Sequence, residues 1–317
     1  MSKRPSVVPK TRRWGLGMAA LTAVISGFAI FINGYGVKAW SNAGVTSSAY
    51  TGAKNLVAAT MLMGAVALFT LRKSEDGLTR PSRPSQWLGL GVVGVLGGGV
   101  AFLLFFEGLS LAVSTQAALI HKTLLIWVGV LAVLVLREKL GVGHVAALGL
   151  LVAGQLVLVG GVTDLSFGSG EVMILAATLI WSIEVIVAKR LLADLSPLTV
   201  GVARMGIGVA VLVGWGLVTG AFAGLAGLGW SHWGWALATG LVLSGYVGTW
   251  YFGLARAPAV DVTAVLVFSV VITAALQSAA QGVTLTDKAW GLGLVTVGAA
   301  LVMILGTTAG RRRPLLH

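Results

Sequence analysis

Residues 105–161 read FFEGLSLAVSTQAALIHKTLLIWVGVLAVLVLREKLGVGHVAALGLLVAGQLVLVGG, and this stretch decides the class of the fold. It contains the end of one apolar segment and two complete apolar segments, with a charged hinge at 137–139 between them. A helix that crosses a bilayer needs roughly 20 apolar residues. The stretch therefore predicts consecutive membrane-spanning helices, which the ionisable residues Glu107, His121 and Lys122 interrupt.

The composition of the whole chain agrees with this class. Its mean hydropathy is +0.94 and 10% of its residues are charged, whereas soluble domains are about 25% charged. We therefore predict an all-α integral membrane protein. The absence of cysteine excludes disulfide frameworks, thiolate catalysis and cysteine-ligated metals.

Polar and charged breaks divide the chain into ten apolar segments. The first is too long for the 7–15-residue apolar core of a signal peptide, so we expect an uncleaved first helix. The predicted spans are 14–36, 47–71, 87–110, 115–136, 141–161, 168–189, 197–219, 233–255, 259–281 and 289–308.

The basic residues are distributed unequally between the two sides of the predicted membrane. With ten spans and a cytoplasmic N-terminus, 17 of the 22 Lys and Arg residues lie in cytoplasmic segments, and only Lys38 and Lys288 lie on the other side. This is the asymmetry of the positive-inside rule. We predict a multi-pass plasma-membrane protein with both termini cytoplasmic, and no nucleic-acid partner for its basic residues.

The second half of the chain repeats the first weakly. When residues 106–140 are placed over 251–285, the aligned pairs are Phe106 with Tyr251, Gly108 with Gly253, Leu109 with Leu254, Ala112 with Ala257 and Leu140 with Leu285. Further upstream, Lys54 of the second span corresponds to Arg204 of the seventh. The alignment predicts two five-helix repeats, 1–163 and 164–317. Because five is odd, the repeats enter the membrane from opposite sides and form an inverted repeat, as in many secondary transporters.

Several local patterns resemble a known family. The second span begins SSAYTGAKNLVAA with Lys54 as a lone basic residue, and the seventh begins LSPLTVGVARMGIG with Arg204 in the same position. The fourth span ends in the 137–140 hinge, and spaced glycines follow from Gly149 to Gly161. In these features the chain resembles ten-helix transporters of the EamA type in the drug/metabolite transporter superfamily, from about residue 14 to 306. It departs from the pattern after the ninth span, where GVTLTDKAW replaces the acidic hinge.

The resemblance implies a function and a general place for the site. Members of the family transport small organic solutes, including amino acids and other metabolites, often outward. Their cavity lies between the first four helices of each repeat, and the fifth and tenth helices lie outside it.

Ionisable side chains within the spans are the main candidates for function. Each costs at least about 2.5–3.5 kcal/mol at a helix centre unless it has a partner or a wet cavity. We predict a charged cluster at the outer end of the cavity, mirrored by Glu184 and Arg204 on the inner side; its members are Lys54, Glu107, His121 and Lys122. Glu184 is the strongest candidate, as a site for a substrate amine or a proton, with Arg204 as its counter-charge.

Each candidate also has a structural interpretation. Lys122 can extend to the lipid headgroups along its apolar stem, His121 can be a hydrogen-bonded packing residue, and Glu107 with Lys54 can be a structural ion pair. Aromatic residues within spans can line the cavity or pack against helices and lipid; these are Trp127, Trp181, Trp250 and Tyr251.

Small residues at four-residue spacing predict close helix packing. They occur in the third span at Gly94 and Gly98, and in the eighth at Gly240, Ser244 and Gly248. Similar glycine-rich pieces lack the Lys-Ser/Thr of a phosphate-binding loop, and the four histidines form no metal-binding pattern.

We therefore predict a secondary transporter of a small organic metabolite, such as an amino acid, with export as its direction. Alternating access would be driven by protons or by exchange, since no nucleotide-binding sequence is present. The alternative is a uniporter or channel-like facilitator. We expect no enzymatic activity, cofactor or metal; the expected partners are the substrate, the bilayer and protons, and the expected assembly is a monomer or homodimer.

Overall fold

The computed structural model describes residues 9–71, 77–112, 117, 120–159, 168–282 and 284–308. Within these ranges the chain is helical and contains no β-strand. The predicted repeat boundary at 163/164 lies outside the described residues, as do the basic residues at 3–4, 72–73 and 311–313.

The described ranges contain twelve α-helices. They are α1 Pro9–Asn42, α2 Ser47–Leu71, α3 Pro84–Val92, α4 Ala101–Leu111, α5 Leu124–Leu131, α6 Val142–Val159, α7 Ser169–Leu191, α8 Pro197–Thr219, α9 Trp230–Arg256, α10 Ala259–Leu266, α11 Ser269–Gln281 and α12 Ala289–Thr308. Two π-helical segments, Val93–Val100 and Ala132–Leu136, join α3 to α4 and extend α5.

Seven described helices are long and apolar enough to cross a membrane. They are Arg12–Asn42, Ser47–Phe69, Pro84–Leu109, Ser169–Leu191, Pro197–Thr219, Ala259–Gln281 and Thr286–Thr308. Two shorter apolar helices occupy Ile120–Leu136 and Val142–Leu158, and the 27-residue α9 falls outside both sets. Each predicted span overlaps a described helix, but the count of ten crossings stays a prediction.

Local sequence sets the ends of α8. Ser196 precedes the helix, and its hydroxyl oxygen accepts a hydrogen bond from the backbone N–H of Thr199 at 3.2 Å. Pro197 follows at the first helical position, where its missing N–H removes no helical bond. Gly220 then ends the helix with a φ of +67°, a conformation that glycine adopts without steric cost.

Two glycines that the repeat alignment pairs end their helices in the same way. Ala112 donates its backbone N–H to the carbonyl of Gly108 at 2.9 Å, and Ala257 donates to Gly253 at 3.0 Å. Both alanines then turn to extended backbone. The equivalence predicted from weak sequence identity is therefore present in the local geometry.

Glycines also mediate contacts between the two halves. A β-carbon on Gly108 of α4 would lie 2.7 Å from the carbonyl oxygen of Gly170 in α7. A β-carbon on Gly253 of α9 would lie 3.1 Å from the carbonyl oxygen of Gly15 in α1. Gly154 of α6 and Gly291 of α12 contact each other reciprocally: a β-carbon on either would lie within 2.9 Å of the other's carbonyl oxygen. Such reciprocal contacts fit a two-repeat architecture.

The predicted close packing of small residues is present at Gly94, Gly98 and Gly240, and a β-carbon on Gly94 would lie 2.9 Å from the carbonyl oxygen of Ala203. A β-carbon on Gly98 would overlap the carbonyl oxygen of Arg204, and one on Gly240 would lie 2.7 Å from the carbonyl oxygen of Lys54. Gly248 meets nothing within 4 Å, so the prediction is wrong there. The carbonyl oxygens of Lys54 and Arg204 thus each contact a glycine from the other half of the chain.

Replacing Gly98 by Ala should destabilise the protein, because the new methyl group meets backbone that cannot rotate away. Overpacking of this kind costs about 1–3 kcal/mol. Gly91→Ala is the matched control, since nothing lies within 4 Å of its β-carbon position and both changes raise helix propensity equally. We expect a lower melting temperature in detergent for Gly98→Ala alone; equal melting temperatures would contradict the packing described here.

Candidate functional site

A cavity of about 780 Å³ lies between helices of both halves of the chain. Its lining includes three exposed residues from the last turn and a half of α1, namely Lys38, Ser41 and Asn42. The cavity is therefore open at this end of the molecule, which we call the open end. On α10 the lining begins at Thr263, one turn into the helix.

Eight of the nine predicted site residues line this one cavity. They are Lys54, His121, Lys122, Trp181, Glu184, Arg204, Trp250 and Tyr251. Glu107 is exposed and does not line it, so the structure does not bring it into the cavity with Lys54. Phe102, Phe105 and Phe106 face the cavity, and each helical residue is rotated by about 100° from the one before it. Glu107 consequently points away from the face on which the phenylalanines lie.

Glu184 is held by two donors from neighbouring helices. The hydroxyl of Tyr251 donates a hydrogen bond to its Oε1 at 2.6 Å, and Nε of Arg204 lies 3.6 Å from the same oxygen. All three side chains are buried. Glu184 and Arg204 therefore form the predicted ion pair, and the phenol of Tyr251 stabilises the carboxylate by a hydrogen bond.

The π-helical segment supplies a backbone acceptor to this group. The carbonyl oxygen of Gly97 accepts hydrogen bonds from Nε1 of Trp181 at 3.0 Å and from Nη2 of Arg204 at 3.4 Å. π-Helical turns are found frequently at functional sites. A β-carbon on Gly97 would overlap the side chain of Glu184, so only glycine fits between the carboxylate and the π segment.

Lys54 has a different environment from Arg204. Its Nζ donates a hydrogen bond to Oδ1 of Asn33 at 3.0 Å, and it lies 5.3 Å from the ring centre of Phe106 and 5.6 Å from that of Tyr50. Rings at this distance attract a cation electrostatically. Within the described ranges, no carboxylate oxygen lies within 4 Å of this ammonium. Its positive charge is solvated by neutral groups alone.

Aromatic side chains form one wall of the cavity. The Trp181 ring centre lies 5.4 Å from those of Phe102 and Phe105 and 5.2 Å from that of His121. Trp250 stacks on Tyr246 at 6.2 Å. Trp127, the remaining aromatic candidate, is exposed and absent from the lining, which favours its alternative interpretation as a residue that packs against lipid.

Several lining residues were missed at the level of sequence. They are Asn33, Phe102, Phe105, Phe106 and Tyr246. The phenylalanines follow the i, i+3, i+4 spacing of one helix face, and Asn33 is a lone amide in an apolar helix. Both signals were available, but neither is distinguishable from ordinary packing without the structure.

Between Thr263 and the N-terminus of α10 the cavity lining stops, and hydrogen bonds there join the two halves of the chain. We call this the closed end. The carboxylate of Glu138 accepts from the backbone N–H groups of Ala259 at 2.7 Å and Val260 at 3.2 Å, and so caps the N-terminus of α10. Arg137 directs Glu138 there by adopting a left-handed conformation, with φ +56°. Burial raises the pKa of the Glu138 carboxyl, although the two N–H groups oppose this rise.

Two further charged groups hold the closed end. Nζ of Lys189 donates to the carbonyl oxygens of Leu254 at 2.5 Å and Ala257 at 2.7 Å. Asp261 accepts from Arg12 of α1 at 2.7 Å and lies 3.5 Å from Nε2 of His144. Among the residues that the structure describes, no three His, Asp or Glu side chains are grouped to hold a metal ion.

Removing the cation from the Glu184–Arg204 pair should destabilise the fold. Arg204→Leu leaves a buried carboxylate without a counter-charge, which costs about 3–5 kcal/mol. Adding Glu184→Gln to the same chain removes that charge and should recover part of the loss. Unfolding in a detergent titration measures Arg204→Leu, Glu184→Gln alone and the double variant, and strictly additive losses would show that the pair is not coupled.

Comparison with known proteins agrees with the fold and the resemblance. The model of the EamA-like transporter family matches the chain twice, over residues 13–160 and 168–306. One solved structure, titled "Crystal structure of protein", has a TM-score of 0.71 at 19% identity and covers 94% of this chain and 98% of that chain; at that identity the likeness shows the fold alone. No curated protein matches the sequence. Because the two family matches cover most of the sequence, the chain belongs to the EamA-like transporter family and is a multi-pass membrane protein with a role in membrane transport.

Proposed function

We propose that this protein is a secondary transporter that moves a small organic metabolite across the plasma membrane by alternating access. The cavity carries this proposal: it is about 780 Å³, large enough for a small organic molecule. It is open at one end and bounded at the other by the contacts of Glu138, Lys189 and Asp261. A continuous pore would need both ends open, so this arrangement favours a transporter over a channel.

The proposed topology has ten spans in two inverted repeats, 1–163 and 164–317, with both termini in the cytoplasm. It is supported by the distribution of Lys and Arg. In this topology the open end of the cavity faces the outside and the closed end faces the cytoplasm. The conformation described here is then the outward-facing one, and export, the direction that we propose, requires a second conformation that opens to the cytoplasm.

Opening the closed end requires the separation of named contacts. Glu138 must leave the N-terminus of α10, Lys189 must leave the carbonyl oxygens at the end of α9, and Arg12 must leave Asp261. Hydrogen bonds that involve a charged group contribute about 1.5–3 kcal/mol each. New contacts near Lys38 must offset this loss, so that the two conformations remain close in free energy.

Glu184 is the group that we propose for proton coupling. It lines the cavity, and its carboxylate is balanced by Arg204 and Tyr251. A buried carboxylate that loses its counter-charge binds a proton more readily. If the conformational change draws Arg204 away, protonation of Glu184 becomes part of the transport cycle.

Replacing Glu184 by Gln should reduce transport driven by a pH gradient at least about tenfold, while the protein still inserts in the membrane. The measurement compares metabolite uptake and efflux in expressing and non-expressing cells, with and without the gradient. Asp287→Asn removes an exposed carboxylate outside the cavity and should leave the flux unchanged.

Two outcomes would revise this proposal. Proton dependence that survives in Glu184→Gln would remove Glu184 from the coupling role. A wild-type flux that ignores the gradient would indicate an exchanger or a uniporter.

The chain contains no cysteine, so single-cysteine variants can test its topology directly. We expect Ser41→Cys, at the open end, to react with a membrane-impermeant maleimide on intact cells. Lys139→Cys, exposed in the hinge beside the closed end, should react only after permeabilisation. The opposite pattern would reverse the proposed orientation.

A further inference from the structure

We propose that the cavity selects organic anions that carry a flat apolar ring, with the anionic group bound by Lys54. This inference rests on the proposed transport function and narrows the class of substrate. It depends on the charge balance of the lining, on the partners of each charged group and on the aromatic wall.

The described lining of the cavity is strongly positive. It contains four Lys or Arg residues, Lys38, Lys54, Lys122 and Arg204, and one acidic residue, Glu184. Since the pair of Arg204 and Glu184 is neutral as a whole, three positive charges remain. Charges interact more strongly beside low-dielectric walls than in water, so the cavity attracts anions and repels cations.

The single carboxylate of the described lining is already paired in this conformation. Tyr251 and Arg204 both approach Oε1 of Glu184, and Gly97 packs against its aliphatic stem. A cationic ligand would have to share this carboxylate with Arg204 and would also have to enter a positive cavity. The expectation that Glu184 binds a substrate amine is therefore disfavoured relative to its role in coupling.

Lys54 and Lys122, unlike Glu184, have N–H donors that a ligand can use. An ammonium group has three N–H donors, and within the described residues Lys54 uses one of them, on Asn33. In the same ranges Nζ of Lys122 makes no hydrogen bond and has no carboxylate oxygen within 4 Å. A ligand carboxylate can accept from Lys54 without breaking its contact with Asn33, and Lys122 adds to the attraction.

The aromatic residues indicate what the rest of the ligand is. Trp181, Phe105 and Phe106 line one side of the cavity, and Trp250 and Tyr246 line it from α9. Aromatic rings pack favourably against other flat rings in stacked or edge-on geometry. A ligand with one ring and one carboxylate therefore satisfies both features of the lining, whereas a polyol would leave the aromatic wall without a partner.

Three compounds of equal length test the sign of the charge. 3-Phenylpropionate, 3-phenylpropan-1-ol and 3-phenylpropylamine share the ring and differ in the group that would meet Lys54. Calorimetric titration of the purified full-length protein should show the carboxylate binding at least about tenfold more tightly than the alcohol, and the amine most weakly. 3-Cyclohexylpropionate, which lacks the flat ring, should bind more weakly than 3-phenylpropionate.

Variants locate the binding group. Lys54→Gln should weaken binding of 3-phenylpropionate at least about tenfold and leave binding of the alcohol unchanged, which also shows that the variant is folded. Lys122→Gln should weaken it less. Lys288→Gln, which removes an exposed lysine outside the cavity, is the matched control and should bind as the wild type does.

The proposal is overturned if the alcohol or the amine binds as tightly as the carboxylate, if none of the three binds, or if Lys54→Gln binds the carboxylate normally. Flux into proteoliposomes separates this result from the transport proposal. A protein that binds 3-phenylpropionate and moves no solute would contradict transport and retain the ligand class. A protein that moves another solute and binds none of these compounds would contradict the ligand class and retain the transport proposal.

Discussion

A charged side chain among bilayer-spanning helices needs a partner, and the pairing of Glu184 with Arg204 organises the centre of this molecule. Arg204 reaches the carboxylate from α8 while it also donates to the carbonyl oxygen of Gly97. That second contact requires the first half of the chain to come within hydrogen-bond distance of the second. The glycines of the π segment permit this approach, because a side chain at 97 or 98 would overlap its neighbours.

The two halves of the chain satisfy the same electrostatic requirement in different ways. In the second half the basic residue is balanced by a carboxylate and a phenol; in the first half Lys54 is solvated by an amide and two rings. The helices correspond closely enough that Gly108 and Gly253 end them identically. The cavity between the halves therefore has one neutral polar wall and one positive wall, although the same family model matches both halves.

Hydropathy and charge placement predicted the helices and eight of the residues that line the cavity, because an ionisable group in an apolar helix needs a partner or a wet cavity. The same reasoning failed for Glu107, since a one-residue step along a helix moves a side chain to another face. It could not find the carbonyl of Gly97, because a backbone acceptor has no residue type that marks it. The contact of Glu138 with Ala259 was equally hidden, as it joins residues far apart in the chain and depends on the left-handed turn at Arg137.

The use of a main-chain carbonyl at Gly97 has a consequence for how such a protein can change over time. Every amino acid has that carbonyl, so no substitution can alter its chemistry, and steric overlap forbids any side chain at the position. The backbone acceptor that Arg204 and Trp181 share therefore cannot be changed by gradual substitution at position 97. New ligand preferences would have to arise on the opposite wall, where Lys54 and its neighbours can be exchanged one at a time, so the two walls differ in evolvability as well as in charge.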